Sequence, residues 1–177
     1  MEKTRATLPA LKNLGDLSNH RPVIVIDNRE HAPLVFTNLQ TIRGTLRSGD
    51  YSISGLTEQF AVERKTIADL VACCMGENRE RFERELHRLR GYRFARLLIV
   101  GTKDEVRQSR YISNIQPKSV FATIGAFEAR YVPVVFGGTP ELSAKLIEVW
   151  AWWFAREVVE DCNSLWRGVV AGKEETA

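Results

Sequence analysis

Residues 49–69 read GDYSISGLTEQFAVERKTIAD, and this stretch carries the strongest structural pattern in the chain. A short apolar run ending at Ile53 is followed by a turn around Gly55 and by a second run at 60–64. Two β-type runs separated by a Gly-containing turn are typical of a β-hairpin. If the hairpin turns about Leu56–Thr57, residues whose numbers sum to 113 lie opposite each other.

This register places a polar cluster on one face of the hairpin. Asp50 faces Glu63 across the two strands, and Lys65 lies on the same face because side chains alternate along a strand. The opposite face is apolar enough to pack against helices and consists of Tyr51, Ile53, Phe60 and Val62. A slip of one residue would exchange the two faces, so the register explains both patterns.

Two carboxylates that face each other repel, and a divalent cation converts that repulsion into binding. Mg²⁺ favours a few carboxylates together with waters and phosphate oxygens, which Asp50 and Glu63 would provide, with Asp27 as a further ligand. Lys65 would orient or help deprotonate a water, or stabilise negative charge on a pentavalent phosphorus. The pattern predicts metal-assisted phosphodiester hydrolysis. The alternative for a Glu-x-Lys pair on its own is a solvated ion pair.

Segments on both sides of the hairpin predict an α/β fold with a mixed sheet. VIVI at 23–26 and LLIV at 97–100 are continuous apolar runs, typical of strands buried on both faces. Further strands are predicted at 41–46 and 132–136, and helices at 32–39, 66–90 with a break at Gly76, 117–130 and 140–159. Strands that alternate with helices indicate one α/β domain, residues 21–177, after a loose leader at 1–20.

Composition supports a globular chain. Hydrophobic residues make up 44% of the 177 residues and charged residues 27%, which excludes an intrinsically disordered protein. The sequence shows neither a signal peptide nor an apolar run of the ~20 residues that would span a bilayer, so we expect a cytoplasmic protein, nucleoid-associated if it is prokaryotic or viral. The net charge of +3 is compatible with a polyanionic partner without requiring one.

Seven arginines crowd the segment 77–96. They fit either a solvated helix face or phosphate recognition, because the guanidinium group binds phosphate oxygens with two donors. The candidates for contacts to the phosphates of a polyanion such as DNA are Arg64, Arg79, Arg81, Arg84 and Arg88. Arg64 has the alternative of pairing with Asp69 or another structural carboxylate, and Asp69 has the alternative of a charge at a helix N-terminus.

The motifs resemble the nuclease domain of the xeroderma pigmentosum group F family of structure-specific endonucleases. Gly49-Asp50-Tyr51 and Glu63-Arg64-Lys65, followed by Asp69, match its GD…ERKxxxD signature, and VIVIDNRE at 23–30 matches its first strand. The resemblance covers roughly residues 22–160. It implies a restriction-endonuclease-like (PD-(D/E)xK) fold with a mixed central sheet flanked by helices, Mg²⁺ or Mn²⁺ as cofactor, and incision of branched DNA such as flaps, forks and junctions.

The resemblance also implies residue roles. Asp50 and Glu63 would bind metal, Lys65 would serve catalysis, and Asp27, Arg29 and Asp69 would support the catalytic site. Family members usually carry helix-hairpin-helix motifs after the nuclease domain, and the sequence to Ala177 shows none. A catalytically silent DNA-binding scaffold subunit and a nuclease for linear DNA are the alternatives to a branched-DNA endonuclease.

Aromatic residues are concentrated in the last predicted helix. Trp152 and Trp153 are adjacent, so both cannot face one core, and part of this helix should be an exposed apolar surface. The family dimerises through this region, which implies a homodimer interface that includes Trp150, Trp153 and Phe154. A core helix is the alternative for some of these rings.

Overall fold

A six-stranded mixed sheet organises the part of the chain that the computed structural model describes, which is residues 21–174, with side chains through residue 168. The sheet order is β2-β1-β3-β4-β5-β6. The strands are β1 (Ile24–Asp27), β2 (Thr41–Gly44), β3 (Tyr51–Ile53), β4 (Phe60–Thr66), β5 (Phe94–Val100) and β6 (Val134–Gly138). The predicted leader lies outside the described residues.

The strand directions confirm the predicted mixed sheet. Strand β3 is antiparallel to both of its neighbours, β1 and β4, whereas the β1–β2, β4–β5 and β5–β6 pairs are parallel. Tyr51 pairs with Val62, which confirms the predicted register of the β3–β4 hairpin. The hairpin therefore lies in the middle of the sheet, with the neighbouring strand β1 bringing its own acidic end, Asp27, to the same region.

Five helices cover the two faces of the sheet within the described residues. They are α1 (Ile67–Ala72), α2 (Gly76–Leu89), α3 (Lys103–Arg107), α4 (Pro117–Arg130) and α5 (Pro140–Glu174). The bounds predicted for α4 are confirmed. The predicted break at Gly76 is also confirmed, and it separates α1 from α2. Gly76 has a φ of +61°, a conformation that glycine adopts without steric cost.

Each face of the sheet carries its own apolar cluster. The predicted apolar face of the hairpin packs under α5, where Phe60 contacts Phe94 and Phe154. The other face packs against α1, α2 and α4, with Phe82 against Phe127. Since the large apolar side chains of the hairpin, Tyr51, Ile53, Phe60 and Val62, lie on the α5 face, the polar side chains that alternate with them are directed toward the face that carries α1 and α2.

Several predicted elements require correction. The segment 32–39 is irregular and not helical, because side chains from other parts of the chain accept hydrogen bonds from several of its backbone N–H groups. Glu148 of α5 accepts hydrogen bonds from the N–H groups of Thr37, Asn38 and Leu39 at 2.7–3.1 Å. The short helix α3, which begins with a capping box between Thr102 and Glu105, was not predicted.

The observed bounds of the remaining elements differ modestly from the predicted ones. Strand β2 ends at Gly44, β5 begins at Phe94 and β6 begins at Val134. Helix α5 continues far beyond the predicted end at residue 159. Although α5 has 35 residues, no helix in the described part of the chain combines the length and apolar character that a membrane span needs.

Candidate active site

A polar pocket of about 240 Å³ opens where β1, the start of β3 and the middle of β4 meet α2. Its walls include Asp50, Glu63 and Lys65, the three residues that the predicted hairpin register places on one face. The lining residues are Asp27, Arg29, Arg47, Ser48, Gly49, Asp50, Glu63, Lys65, Glu85 and Arg88. The pocket thus combines carboxylates with a lysine and three arginines.

Asp50 and Glu63 form the acidic part of this pocket. Glu63 is 7% exposed, and Asp50 accepts a hydrogen bond at its Oδ2 from the N–H of Arg64 at 2.8 Å. Burial and the repulsion of Glu63 together raise the pKa of Asp50 to about 7. Burial likewise raises the pKa of Glu63, although the attraction of Lys65 opposes the shift. The pair therefore holds negative charge that the protein alone does not fully neutralise.

Lys65 connects this acidic pair to the wall of the pocket formed by α2. Its Nζ lies 2.6 Å from Oε1 of Glu63 and 4.8 Å from the centre of the Phe82 ring. Burial favours the neutral amine, but the charge and the hydrogen bond of Glu63 outweigh it and raise the pKa of Lys65. The side chain is accordingly an ammonium group fixed beside the two carboxylates.

The two carboxylates fit a divalent cation. Hydrogen bonds within the described residues use Oδ2 of Asp50 and Oε1 of Glu63. The second oxygen of each carboxylate, Oδ1 of Asp50 and Oε2 of Glu63, is therefore available to a cation. Between residues 21 and 168, no three His, Cys, Asp or Glu side chains are grouped closely enough to hold an ion. A pair of protein carboxylates is sufficient for Mg²⁺, which keeps several of its waters and takes phosphate oxygens as further ligands.

The carboxylate of Asp27 holds Arg29 in place. It is 2% exposed, and its Oδ1 accepts from the N–H and Nε of Arg29 at 2.8 and 2.7 Å. Its Oδ2 accepts from Nη2 of Arg29 at 3.2 Å and from the N–H of Leu46 at 2.7 Å. Both oxygens thus already accept two hydrogen bonds, which favours a positioning role, and the metal-binding role of Asp27 stays a prediction.

Arg29 is the group that this arrangement presents to the pocket. Its side chain is 70% exposed although the Asp27 carboxylate and the carbonyl of Leu46 hold it in place. The hydrogen bond and charge of Asp27 raise the pKa of Arg29, and the charges of Asp50 and Glu63 raise it further. A guanidinium fixed at one side and open to solvent at the other is suited to contact a phosphate group.

Two predicted site residues serve the local fold. Asp69 caps α1: its N–H donates to the Thr66 hydroxyl, and its carboxylate accepts from the N–H of Thr66 in return. Arg64 forms a two-pronged ion pair with Glu30, with both nitrogen–oxygen distances at 3.0 Å, and its side chain is 15% exposed. The geometry therefore favours a structural role for Arg64 over the predicted DNA contact.

The predicted arginines of α2 are spread along the helix and do not converge on one point. Arg88 lines the pocket that contains Asp50 and Glu63, and Arg81 lines an adjoining cleft that also contains Lys65 and Asp69. Arg84 is exposed, whereas Arg79 pairs with Glu83 at 3.0 Å.

Sequence reasoning missed three pocket residues, Arg47, Ser48 and Glu85. Two of them, Arg47 and Ser48, could have been found because they lie directly before the GDY motif.

The aromatic residues of α5 divide between the core and the surface. Phe154 is 7% exposed and contacts Phe60 and Phe94, so it belongs to the core of its own chain and the structure does not support its predicted place in a dimer interface. Trp150 is half-buried against Phe94. Trp153 is 51% exposed, with the Arg156 guanidinium over its ring.

The sheet topology and the position of the Asp50–Glu63–Lys65 cluster define a restriction-endonuclease-like α/β domain. Comparison with protein families matches residues 26–149 to the ERCC4 domain, and the chain belongs to this family. The match covers more than two thirds of the sequence and confirms the resemblance to the xeroderma pigmentosum group F type of nuclease domain. No curated protein matches the chain significantly.

Two solved structures of the same archaeal protein share the fold. The structure described as XPF from Aeropyrum pernix is 24% identical with a TM-score of 0.59, and the match covers 73% of this chain and 60% of that one. Its complex with DNA is 23% identical, also with a TM-score of 0.59, and the match covers 77% and 66% of the two chains. This chain therefore spans less than two thirds of the relatives it matches.

Proposed function

We propose that the protein is a divalent-metal-dependent endonuclease that hydrolyses phosphodiester bonds in branched DNA. The observation that carries the proposal is the grouping of Asp50, Glu63 and Lys65 in one pocket, where the Lys65 ammonium group pairs with Glu63 and each carboxylate keeps one oxygen for which the described residues supply no hydrogen bond. Membership of the ERCC4 domain family supports the reaction class. A similar fold in complex with DNA supports the substrate class.

Each residue of the pocket has a role that its surroundings favour. Asp50 and Glu63 would hold Mg²⁺ or Mn²⁺, which when bound supplies Lewis acidity and a water of lowered pKa. The ammonium group of Lys65 would stabilise negative charge that develops on the phosphate oxygens. Because its pKa is raised, Lys65 is less suited to remove a proton from water. Arg29 would bind and orient the phosphate.

The alternatives are an inactive DNA-binding scaffold subunit and a nuclease that cuts linear DNA. The scaffold is disfavoured because Asp50, Glu63 and Lys65 are all present and lie in one pocket. The preference for branched DNA rests on the family resemblance, and discriminating it from a linear substrate requires a direct comparison.

The decisive experiment is a cleavage panel of labelled flap, fork, four-way junction and linear duplex in Mg²⁺, Mn²⁺ or chelator. We expect metal-dependent incision of the branched substrates, and loss of at least about a hundredfold in rate in Asp50→Asn and Lys65→Met. Arg107→Gln, an exposed change on α3, serves as the control with full activity. Equal cutting of all substrates would support the linear-DNA alternative, and binding without cutting would support the scaffold.

We also propose a homodimer that uses the exposed outer stripe of α5. Val149 and Trp153 are separated by about one helical turn, and each is half exposed. Large apolar side chains at this spacing form a continuous surface of the kind that protein interfaces cover. The buried Phe154 supports this stripe from within the chain.

A further inference from the structure

The catalytic pocket has a basic part that the proposed chemistry does not use. Arg47, in the connection between β2 and β3, and Arg88, on α2, both line the pocket and are both exposed. Ser48 lines the same pocket beside Arg47. Two cationic side chains from separate elements thus meet at a cavity that already holds the catalytic residues.

The Ser48 hydroxyl is not available to a ligand in this cavity. Its Oγ is buried, and the hydroxyl of Tyr92 lies beside it as a hydrogen-bond partner. The groups of this basic part that are open to a ligand are the guanidinium groups of Arg47 and Arg88, both of which are exposed.

The basic part and the acidic part of the pocket have different charged groups around them. The charged groups that act on the Tyr92 hydroxyl are Glu58, Arg47 and Arg88. Those that act on Lys65 are Glu63, Asp50 and Glu85. Glu58 approaches Arg47 at 3.8 Å, but both side chains are well exposed, so this contact is weak and a ligand readily replaces it.

We infer that Arg47 and Arg88 form a subsite for a second DNA phosphate, next to the one that is cut. The inference rests on the proposed function. Guanidinium groups bind phosphate oxygens through charge-assisted hydrogen bonds, and each can present two donors to one phosphate. Contacts to a backbone phosphate carry no base information, so the subsite positions the strand in the pocket irrespective of sequence.

The test neutralises one DNA phosphate at a time. Oligonucleotide substrates carry a single methylphosphonate at each position across the incision region, and binding is followed by fluorescence anisotropy in Ca²⁺. We expect one neutralised position adjacent to the cut to weaken wild-type binding at least about fivefold. Arg47→Gln/Arg88→Gln should bind unmodified DNA with a similar loss and be insensitive to that methylphosphonate.

Arg107→Gln is the matched charge control and should retain both the wild-type affinity and the sensitivity. Because Arg47 and Arg88 are exposed, their variants should keep the wild-type melting temperature. If neutralising the phosphate weakens DNA binding by the double variant as much as it weakens binding by the wild type, the two losses of affinity are additive and the inference is overturned. A greater sensitivity to removal of a 5′-terminal phosphate from a nicked duplex would also overturn it, since that would assign the subsite to a strand end.

The two proposals fail separately. If the arginine substitutions and the neutralised phosphate are coupled in DNA binding but the wild-type protein does not cleave DNA in Mg²⁺, the subsite is retained and the endonuclease assignment is overturned. Metal-dependent cleavage without coupling would do the reverse. Failure of the wild-type protein to bind any of the DNAs would overturn both.

Discussion

The carboxylate of Asp27 anchors Arg29 through two hydrogen bonds from the guanidinium group, at 2.7 and 3.2 Å, and a third from the Arg29 N–H at 2.8 Å. The same carboxylate binds the N–H of Leu46 and so joins the end of β1 to the segment that leads into the GDY motif. Asp27 therefore positions both the Arg29 guanidinium group and the segment that forms one wall of the pocket.

Asp27→Asn tests this positioning role. The amide keeps the shape of the side chain but loses the negative charge and one acceptor, so we expect the free energy of unfolding to fall by about 1–3 kcal/mol. Cleavage should fall as well, through a raised KM, because Arg29 loses its anchor. Urea denaturation and steady-state kinetics measure the two effects. Unchanged stability would contradict the role, and exposed Arg130→Gln is the control.

The raised pKa of Asp50 predicts that the paired pocket acids Asp50 and Glu63 destabilise the folded protein when no cation is present. The folded-state pKa of about 7 exceeds the reference value of 3.8, so the native state holds a proton that the unfolded state has lost. Stability should therefore fall as pH rises from about 4 to 7. Asp50→Asn should raise the free energy of unfolding at pH 8 by about 1–3 kcal/mol and have little effect near pH 4.

Thermal melts in chelator across this pH range provide the measurement. Added Mg²⁺ should raise the melting temperature of the wild type at pH 8 and leave Asp50→Asn nearly unaffected, because the ion binds the folded state only. A wild-type protein whose stability rises between pH 4 and 7, with Asp50→Asn less stable at pH 8, would contradict the assignment.

The hairpin and its polar face could be predicted from sequence because alternation fixes which side chains share a face. One confirmed pair, Tyr51 with Val62, places Asp50 and Glu63 opposite each other. The capping residues Thr66 and Asp69 were equally readable, since a capping box is a local arrangement. These features depend on residues within twenty positions of each other.

Contacts between distant parts of the chain could not be read in this way. The partner of Arg64 is Glu30, 34 positions away, and the acceptor for the 37–39 backbone is Glu148 on α5. Neither pairing leaves a periodic signal, so helix periodicity over 32–39 was misleading. The saturation of Asp27 by Arg29 and Leu46 likewise depends on loop geometry that spacing does not encode.

The Arg64–Glu30 pair predicts that Arg64 contributes to stability and not to DNA binding. Removing one partner of a largely buried ion pair leaves the other charge uncompensated, so Arg64→Met should cost about 3–5 kcal/mol. In a double-mutant cycle with Glu30→Gln, the two losses should be strongly non-additive. Chemical denaturation measures the cycle, and anisotropy measures DNA affinity. A DNA-binding defect in folded Arg64→Lys, with stability unchanged, would restore the DNA-contact prediction.

Glu148 predicts a second long-range stabilising contact. Its carboxylate is 3% exposed and accepts from three backbone N–H groups and from Nδ2 of Asn38 at 2.6 Å. Glu148→Ala leaves these donors buried without an acceptor, and we expect a loss of about 2–4 kcal/mol. Denaturation gives the loss, and hydrogen exchange should show faster exchange at 37–39. Glu157→Ala, an exposed change on the same helix, should alter neither quantity.

The proposed homodimer predicts a change of mass when the outer stripe of α5 is made charged. Trp153→Glu places a carboxylate where the interface would be desolvated, and since Trp153 is half exposed the substitution should leave the monomer folded. Light scattering coupled to gel filtration at micromolar concentration should give the mass of two chains for the wild type and of one chain for the variant. Lys118→Glu on α4 should remain dimeric. A wild-type monomer would contradict the dimer, and a dimeric Trp153→Glu would move the interface away from this stripe.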